Sequence, residues 1–174
     1  MPGEYPGEIG RTYLNEVSSF LDGNFGFKLI ETVYDGPGTA CFVINGETIR
    51  FDAFFIQTIL MDDNPSTNTN RLQYVCECKL RTDGSALLRE FKTFLIKAKK
   101  VIPILKGRYT INFRFLFITN THFGIDENRL DQLSFWKELC PEMEEEDFSD
   151  FMSYIKIIIL PSWFLKMLYR GTRI

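Results

Sequence analysis

The segment LQYVCECKL at residues 72–80 is predicted to be a β-strand, because apolar and polar side chains alternate along it. Successive side chains of a strand point to opposite faces of its sheet. Cys76 and Cys78 therefore share one face, and Glu77 and Lys79 are neighbours on the other. Glu77 and Lys79 are therefore candidate site residues.

Upstream of this strand, the apolar residues predict a helix, a strand and a hairpin. The hairpin is marked by an Asn-Gly dipeptide, the strongest short-range signal for a tight turn between strands. A polar, turn-rich stretch at residues 62–70 predicts an exposed loop. The predicted elements are a helix at Glu8–Asp22, a strand at Phe25–Tyr34, and hairpin strands at Thr39–Ile44 and Glu47–Thr58 around Asn45-Gly46.

Downstream of it, helical and strand patterns alternate. The acidic run at residues 142–150 suits the start of a helix, because acids stabilise a helix N-terminus. The run IKIIIL at 155–160 fits either a strand or a helix. We expect an α/β fold in which helices flank both faces of a central mixed sheet. The other predicted elements are a helix from Asp83-Gly84-Ser85 to about Pro103, a strand at Tyr109–Asn120 and a helix at Asp126–Leu139.

The length of 174 residues suits one domain. We expect residues 1–140 to form its core and residues 141–174 to form a C-terminal helical appendage that packs on this domain or extends it. The most apolar stretch, Tyr154–Leu168, is broken by two lysines and a proline, so we expect no membrane span. The start, MPGEYPGEIG, does not resemble a secretory signal, which favours a cytoplasmic protein with reduced cysteines.

Carboxylates are the candidate metal ligands. Four Cys and one His, without a Cys-x-x-Cys pair, argue against a structural zinc site. Asp52 follows a strand-forming segment and Glu77 lies on the next strand, so the two carboxylates can converge. Such a pair suits a hard cation such as Mg²⁺, which takes oxygen ligands and keeps several waters. Lys79 would then orient a water or stabilise charge on a phosphate.

This arrangement resembles the core of the restriction-endonuclease-like, or PD-(D/E)xK, nuclease superfamily. The resemblance covers residues 8–120 and rests on Asp52 after the hairpin, Glu77-x-Lys79 in the next strand, and the helix and strand that follow. It implies a three-layer core with the mixed sheet in the middle. Two runs are similar to the modification-dependent restriction and defence-associated branches, GRTYLNEVSSFLDGNFGF at 10–27 and FRFLFITNTHFG at 113–124.

The resemblance also implies roles for the matching residues. Asp52 and Glu77 would hold Mg²⁺, for which Mn²⁺ can substitute. The backbone carbonyl of Cys78 would be a further ligand, and Lys79 would position the attacking water. The implied activity is Mg²⁺-dependent hydrolysis of phosphodiester bonds by an endonuclease, on DNA in preference to RNA, in restriction or anti-phage defence. Duplex cutting in this superfamily usually needs two sites, which implies a homodimer or a module of a larger assembly.

Two helical positions complete the implied site. Some members add a Glu from the first helix, and Glu16 is preferred over Glu8 because it lies within the amphipathic run. Several branches carry a Gln in the core helix, a position that Glu90 or Lys92 would have to fill.

Charge is unevenly distributed along the chain. The formal net charge is −3, yet residues 79–114 hold ten basic residues against two acids, a local charge of +8. Such a cluster favours contact with nucleic-acid phosphates. Lys97, Lys99 and Lys100 also fit the solvated side of a helix.

Two alternatives to a nuclease remain open. One is a non-catalytic nucleic-acid-binding or assembly module with the same fold. The other is an unrelated α/β interaction domain whose Glu-x-Lys pair is a surface feature.

Overall fold

The computed structural model describes residues 5–36, 40–60, 69–108, 112–123, 132–139, 141 and 144–161. Within these ranges, strands and helices alternate along the chain. The helices are α1 (Tyr5–Phe25), α2 (Gly84–Arg108), α3 (Leu133–Leu139) and α4 (Glu145–Tyr154), with a short 3₁₀ helix at Val33–Asp35. The strands are β1 (Phe27–Thr32), β2 (Cys41–Ile44), β3 (Glu47–Arg50), β4 (Ala53–Leu60), β5 (Thr69–Lys79), β6 (Asn112–Thr119) and β7 (Ile155–Ile159).

Five strands form one mixed sheet in the order β1-β4-β5-β6-β7, and β2 pairs with β3 in a separate hairpin. The β1–β4 and β4–β5 pairs are antiparallel, whereas the β5–β6 and β6–β7 pairs are parallel. The parallel pair β5–β6 is joined through α2, because parallel neighbours need a crossover connection. The predicted α/β fold with a central mixed sheet flanked by helices is confirmed.

Apolar side chains cover both faces of this sheet. On one face, α1 packs against the strands through Tyr13, Leu14, Val17 and Leu21, which meet Phe55, Cys76 and Ile118. On the other, α2 and the hairpin cover the sheet together with Trp136 of α3 and Phe151 of α4. The main members of this second cluster are Phe51, Val75, Leu87, Phe91, Phe94, Leu95, Ala98, Val101, Phe115, Phe117, Trp136 and Phe151.

The predicted strand at Glu47–Thr58 is wrong as one element, since the chain leaves the hairpin and enters the main sheet at Phe51-Asp52. The N–H of buried Phe51 donates to the carbonyl of Ala40 at 2.8 Å. Ala40 directly precedes the hairpin strand β2, so this hydrogen bond still belongs to the hairpin. The next N–H, of Asp52, donates to the carbonyl of Cys76 on β5 at 3.0 Å. This change of partner places Asp52 at the start of β4, beside the end of β5.

The core helix does not end near Pro103 but continues to Arg108. A proline removes one backbone hydrogen bond and crowds the preceding turn, which usually ends or bends a helix. Here the Pro103 ring is exposed, and Ile102 and Leu105 on either side are buried in the core. Burial of these side chains stabilises the helix beyond the proline.

The C-terminal part of the described chain is not a purely helical appendage. The acidic run does begin a helix, α4, with Glu145, Glu146 and Asp147 in its first turn. The segment Ile155–Ile159, however, is a strand that extends the main sheet in parallel with β6. It therefore belongs to the same structural unit as the rest of the sheet.

Some predicted features fall partly or wholly outside the described residues. For the predicted helix at Asp126–Leu139, the structure describes helix only at Leu133–Leu139. Residues 61–68 of the expected polar loop and residues 162–174 also lie outside the description, whereas Thr69 and Asn70 already belong to β5. Among the described helices, none is long and apolar enough to cross a lipid bilayer.

Candidate active site

The site lies where β4 begins and β5 ends. The antiparallel register pairs Ala53 with Cys76, which brings Asp52 level with the last residues of β5. The Asp52 carboxylate accepts a hydrogen bond from the backbone N–H of Cys78, at 2.8 Å from Oδ2. Asp52 is thus joined to β5 by its backbone and its side chain, which fixes the direction of its carboxylate.

The predicted neighbours Glu77 and Lys79 do share a face of β5. The ammonium nitrogen of Lys79 lies 3.1 Å from Glu77 Oε2 and 3.2 Å from Asp52 Oδ2. The two carboxylates therefore converge on one ammonium group, as the sequence predicted for adjacent strands. The thiols of Cys76 and Cys78 point to the opposite face, towards α1.

A second lysine, from α2, completes this charge cluster. Lys97 forms an ion pair with Glu77 Oε1, and its ammonium donates to the backbone carbonyl of Arg50 at 2.7 Å. The same nitrogen lies 4.9 Å from the centre of the Phe51 ring. The sequence predicted Lys97 either within the basic cluster that would contact phosphates or on the solvated side of the helix, and neither prediction includes this contact. The available signal was its spacing of three from Phe94 and four from Val101, which puts it at the edge of the apolar stripe.

Burial and neighbouring charges together shift the pKa values of Glu77 and Lys79. The Glu77 side chain is 2% exposed, and burial raises its pKa to about 7, with the charge of Asp52 adding to the rise. Lys79 and Lys97 act in the opposite direction on Glu77. Burial lowers the pKa of Lys79, but the charges of Glu77 and Asp52 outweigh it and hold that pKa above its ordinary value. Lys79 is therefore a permanent cation at neutral pH.

One carboxylate oxygen in the cluster has an incomplete set of partners. Glu77 Oε2 is buried, and no group in the described part of the chain gives it a hydrogen bond. The ammonium of Lys79 lies 3.1 Å from this oxygen and forms an ion pair with it. A buried oxygen whose hydrogen bonds are incomplete calls for an explanation, and a bound ion or water is one of them.

Tyr34 lies beside this cluster and was also missed. The 3₁₀ helix that carries it is held by a capping box, in which Thr32 Oγ1 accepts the Tyr34 N–H and Asp35 accepts the Thr32 N–H. Burial raises the pKa of the Tyr34 hydroxyl, and the negative charge of Asp52 raises it further. The hydroxyl therefore lies close enough to Asp52 to be affected by its charge. The Arg11 guanidinium lies 5.3 Å from the centre of its ring. No local pattern in the sequence marks Tyr34.

The helical candidates, Glu16 and Glu8, both lie on α1. Glu16 is half-buried on α1 and lines a cavity of about 530 Å³, together with Tyr13 and with Leu160 and Pro161 after β7. Its charge contributes to raising the pKa of Tyr13, after burial and the influence of Cys78. Glu8 is exposed on the same helix.

Neither substitute for the core-helix Gln is joined to the carboxylate pair by a described contact. The carboxylate of Glu90 forms an ion pair with Arg81 at 2.6 Å. Lys92 is exposed on α2. Lys97, further along the same helix, is the residue that contacts Glu77.

The predicted basic cluster is divided in space. Lys100 forms an ion pair with Glu47 of the hairpin, and Lys106 with Asp150 of α4. Arg89 and Lys92 are exposed on α2. The +8 of this segment is thus partly neutralised and does not act as one uniform patch.

The donor set of the cluster fits Mg²⁺. It consists of two converging carboxylates, one of which has a buried oxygen without a hydrogen bond, and the backbone carbonyl of Cys78, the residue after Glu77. The described residues contain no group of three or more His, Cys, Asp or Glu side chains placed to hold a metal. Mg²⁺ suits such a small protein set because it keeps several waters. No known protein family, curated protein or solved structure matches the chain.

Proposed function

We propose that this protein is a Mg²⁺-dependent endonuclease of the PD-(D/E)xK type that hydrolyses phosphodiester bonds, with DNA as its substrate. One observation carries the proposal: the Asp52 and Glu77 carboxylates converge on Lys79 where β4 begins and β5 ends. The strand pairings support it, because an antiparallel β4–β5 pair is followed by the α2 crossover to parallel β6. The order of elements along the chain, in which Asp52 follows a hairpin and Glu77-x-Lys79 lies in a strand before a helix and a further strand, is the one that the resemblance implies for the superfamily.

Asp52, Glu77 and the carbonyl of Cys78 would hold the cation. When bound, Mg²⁺ would supply positive charge to the phosphate oxygens and lower the pKa of a water. The hydrogen bond from the Cys78 N–H and the ion pairs at Glu77 hold the two carboxylates in place before any cation arrives. Carboxylates that are already in place do not have to rearrange during the reaction.

Lys79 would act on the water and the phosphate as a cation. The charges of Glu77 and Asp52 raise its pKa, so its ammonium is protonated when it meets the substrate. It can donate hydrogen bonds that orient the attacking water and stabilise the extra negative charge on the phosphate. The water oxygen forms the new P–O bond and gives up a proton to bulk solvent, while the ester P–O bond breaks and the departing oxygen takes up a proton from solvent.

The exposed residues Arg89 and Lys92 on α2 would contribute phosphate contacts that do not depend on base sequence. Cutting both strands of a duplex would require a second copy of the site. A homodimer, or assembly with another nuclease subunit, would supply it. Restriction or anti-phage defence is the biological setting that the resemblance favours.

The test is cleavage of supercoiled plasmid DNA in Mg²⁺ or Mn²⁺, with EDTA as the negative control and single-stranded RNA as a second substrate. Asp52→Asn keeps an oxygen that can accept from the Cys78 N–H, and Glu77→Gln keeps the side-chain shape, so both remove charge with little change of volume. We expect each of them, and Lys79→Met, to reduce the cleavage rate at least about 100-fold. Lys100→Met, at an exposed ion pair, is the matched control and should cleave normally.

The alternative is a non-catalytic nucleic-acid-binding or assembly module. It is favoured by the two lysines, which neutralise both carboxylates of the cluster. DNA binding without cleavage in either metal would support this alternative. Equal cleavage by the intact chain and the Glu77→Gln variant would show that the proposed site is wrong.

A further inference from the structure

Lys97 is held in the site by contacts on three sides. Its ammonium forms the ion pair with Glu77, donates to the Arg50 carbonyl at 2.7 Å and lies 4.9 Å from the centre of the Phe51 ring. Its side chain is 25% exposed, compared with 47% for Lys100, whose partner Glu47 is itself exposed. Lys97 is therefore built into the site, whereas Lys100 belongs to the surface.

The cluster is electrically balanced by its own lysines. Two carboxylates, Asp52 and Glu77, face two ammonium groups. Lys79 bridges both carboxylates, but the described ion pair of Lys97 is with Glu77 alone. A cation that binds through Glu77 must therefore act against the charge of Lys97, since like charges at short range in a partly buried site repel strongly.

We propose that Lys97 is an internal counter-ion that competes with a divalent cation for Glu77 and thereby raises the cation concentration at which the site fills. This inference rests on the proposed function, because it assigns a regulatory role at the same metal site. Lys97 is a positioning residue: it holds Glu77 in place before the cation binds. The charge that holds Glu77 also opposes the cation.

Competition and a merely structural role predict opposite effects on metal affinity. If Lys97 only supported the fold or the orientation of Glu77, its removal would weaken metal binding. If it competes, removal of its charge tightens metal binding while the metal-free protein becomes less stable. The metal-free protein becomes less stable because Glu77 would keep only Lys79 as a counter-ion, and an incompletely paired buried charge is destabilising.

The experiment measures Mn²⁺ binding directly, by the loss of the free-ion electron paramagnetic resonance signal at pH 8, in the full chain without nucleic acid. Lys97→Met keeps the length of the side chain and the contact with Phe51 but removes the charge. Lys97→Gln also removes the charge and keeps a donor for the Arg50 carbonyl, so it carries the test where the Met variant does not fold. Lys97→Arg restores the charge, and Lys100→Met is the surface control.

We expect both neutral variants to bind Mn²⁺ at least about tenfold more tightly than the intact chain, an energy of about 1.4 kcal/mol. Lys97→Arg and Lys100→Met should bind like the intact chain. In EDTA, the neutral variants should unfold at a lower temperature than Lys100→Met. Equal or weaker Mn²⁺ binding by both neutral variants would overturn the competition.

Plasmid cleavage by the intact chain, measured separately, distinguishes this inference from the proposed function. Metal-dependent cleavage together with unchanged affinity in the neutral variants overturns only the role of Lys97. Tight binding by the neutral variants with no cleavage by the intact chain supports that role and removes the nuclease proposal. Absence of Mn²⁺ binding in every variant overturns both.

Discussion

Lys97 of α2 forms an ion pair with Glu77 of β5, so a charged contact joins the helical layer to the sheet at the candidate active site. The contact is buried on the carboxylate side, where only 2% of the Glu77 side chain is exposed. Losing one partner of a buried pair leaves an uncompensated charge, which is far more costly than losing a surface pair. The stability of this protein and the properties of its site are therefore linked through Glu77.

The first prediction concerns how stability depends on pH. Folding raises the pKa of Glu77 from 4.5 to about 7, so between these values the folded state holds a proton that the unfolded state has released. The contribution of this group is fully present below about pH 4.5 and is lost as pH rises to about 7. We expect the stability of Glu77→Gln, relative to that of the intact chain, to rise over this interval by about 3 kcal/mol in total. Urea unfolding in EDTA between pH 5 and 8 measures it.

The matched control for this experiment is Glu47→Gln, because Glu47 is exposed on the hairpin. This variant removes a carboxylate from the surface rather than from the core, so a pH-dependent gain that both variants share would not be due to the burial of Glu77. A stability difference for Glu77→Gln that does not change with pH would contradict the raised pKa of Glu77.

The second prediction concerns removal of metal. A ligand that binds only the folded state stabilises it, and a tenfold excess of Mg²⁺ over its dissociation constant gives about 1.4 kcal/mol. We expect Mg²⁺ to raise the melting temperature at pH 8 and to have a smaller effect at pH 5.5, because protons compete for Glu77. EDTA should reverse the shift, and Asp52→Asn should abolish it. An equal shift in Asp52→Asn, or in NaCl of the same ionic strength, would assign it to general salt effects.

Much of the site was predictable because it depends on local periodicity. Alternation along a strand is a property of the backbone, so Glu77 and Lys79 could be assigned to one face from the sequence alone, and the structure confirms it. The Asn45-Gly46 turn was also predictable, since few dipeptides accept the positive φ angles that a tight hairpin needs, 50° and 80° here.

The remainder depends on contacts between distant parts of the chain. The break between β3 and β4 at Phe51-Asp52 arises because adjacent N–H groups donate to Ala40 and Cys76, and both flanking segments look like strand. Lys97 reaches Glu77 only because α2 crosses the face of β5 on which Glu77 lies. A long, flexible side chain at the edge of an apolar stripe can point to solvent or inward, and only packing determines which.

The third prediction concerns the core beneath the site. The Phe91 side chain is fully buried and its ring meets Phe94, Phe117, Phe123 and Trp136, with ring centres 5.1–6.3 Å apart. We expect Phe91→Ala to lower the free energy of unfolding by about 3–5 kcal/mol, because it leaves a cavity among these rings. The control, Phe25→Ala, removes a ring that is 52% exposed and should have a much smaller effect. Urea unfolding compares them, and equal losses would contradict the assigned core.

The last prediction tests the close approach of α1 to Tyr34, which lies beside Asp52. A Cβ atom at Gly10 would lie 2.6 Å from the Tyr34 hydroxyl oxygen, closer than real contacts allow, whereas the next ring atom is 3.8 Å away. Glycine inside a helix is less stable than alanine by about 0.5–1 kcal/mol, so Gly10→Ala should gain that amount only where the hydroxyl is absent. We expect little or negative gain from Gly10→Ala alone, and the full gain in a Tyr34→Phe background.

Gly23→Ala supplies the matched control, because nothing lies within 4 Å of the added Cβ at that position of the same helix. It should stabilise the protein by about 0.5–1 kcal/mol whether residue 34 is Tyr or Phe. Unfolding free energies of the single and double variants form a cycle that isolates the contact between residues 10 and 34. If Gly10→Ala has the same effect in both backgrounds, the Tyr34 hydroxyl does not lie against α1, and its placement beside the carboxylate pair is wrong as well.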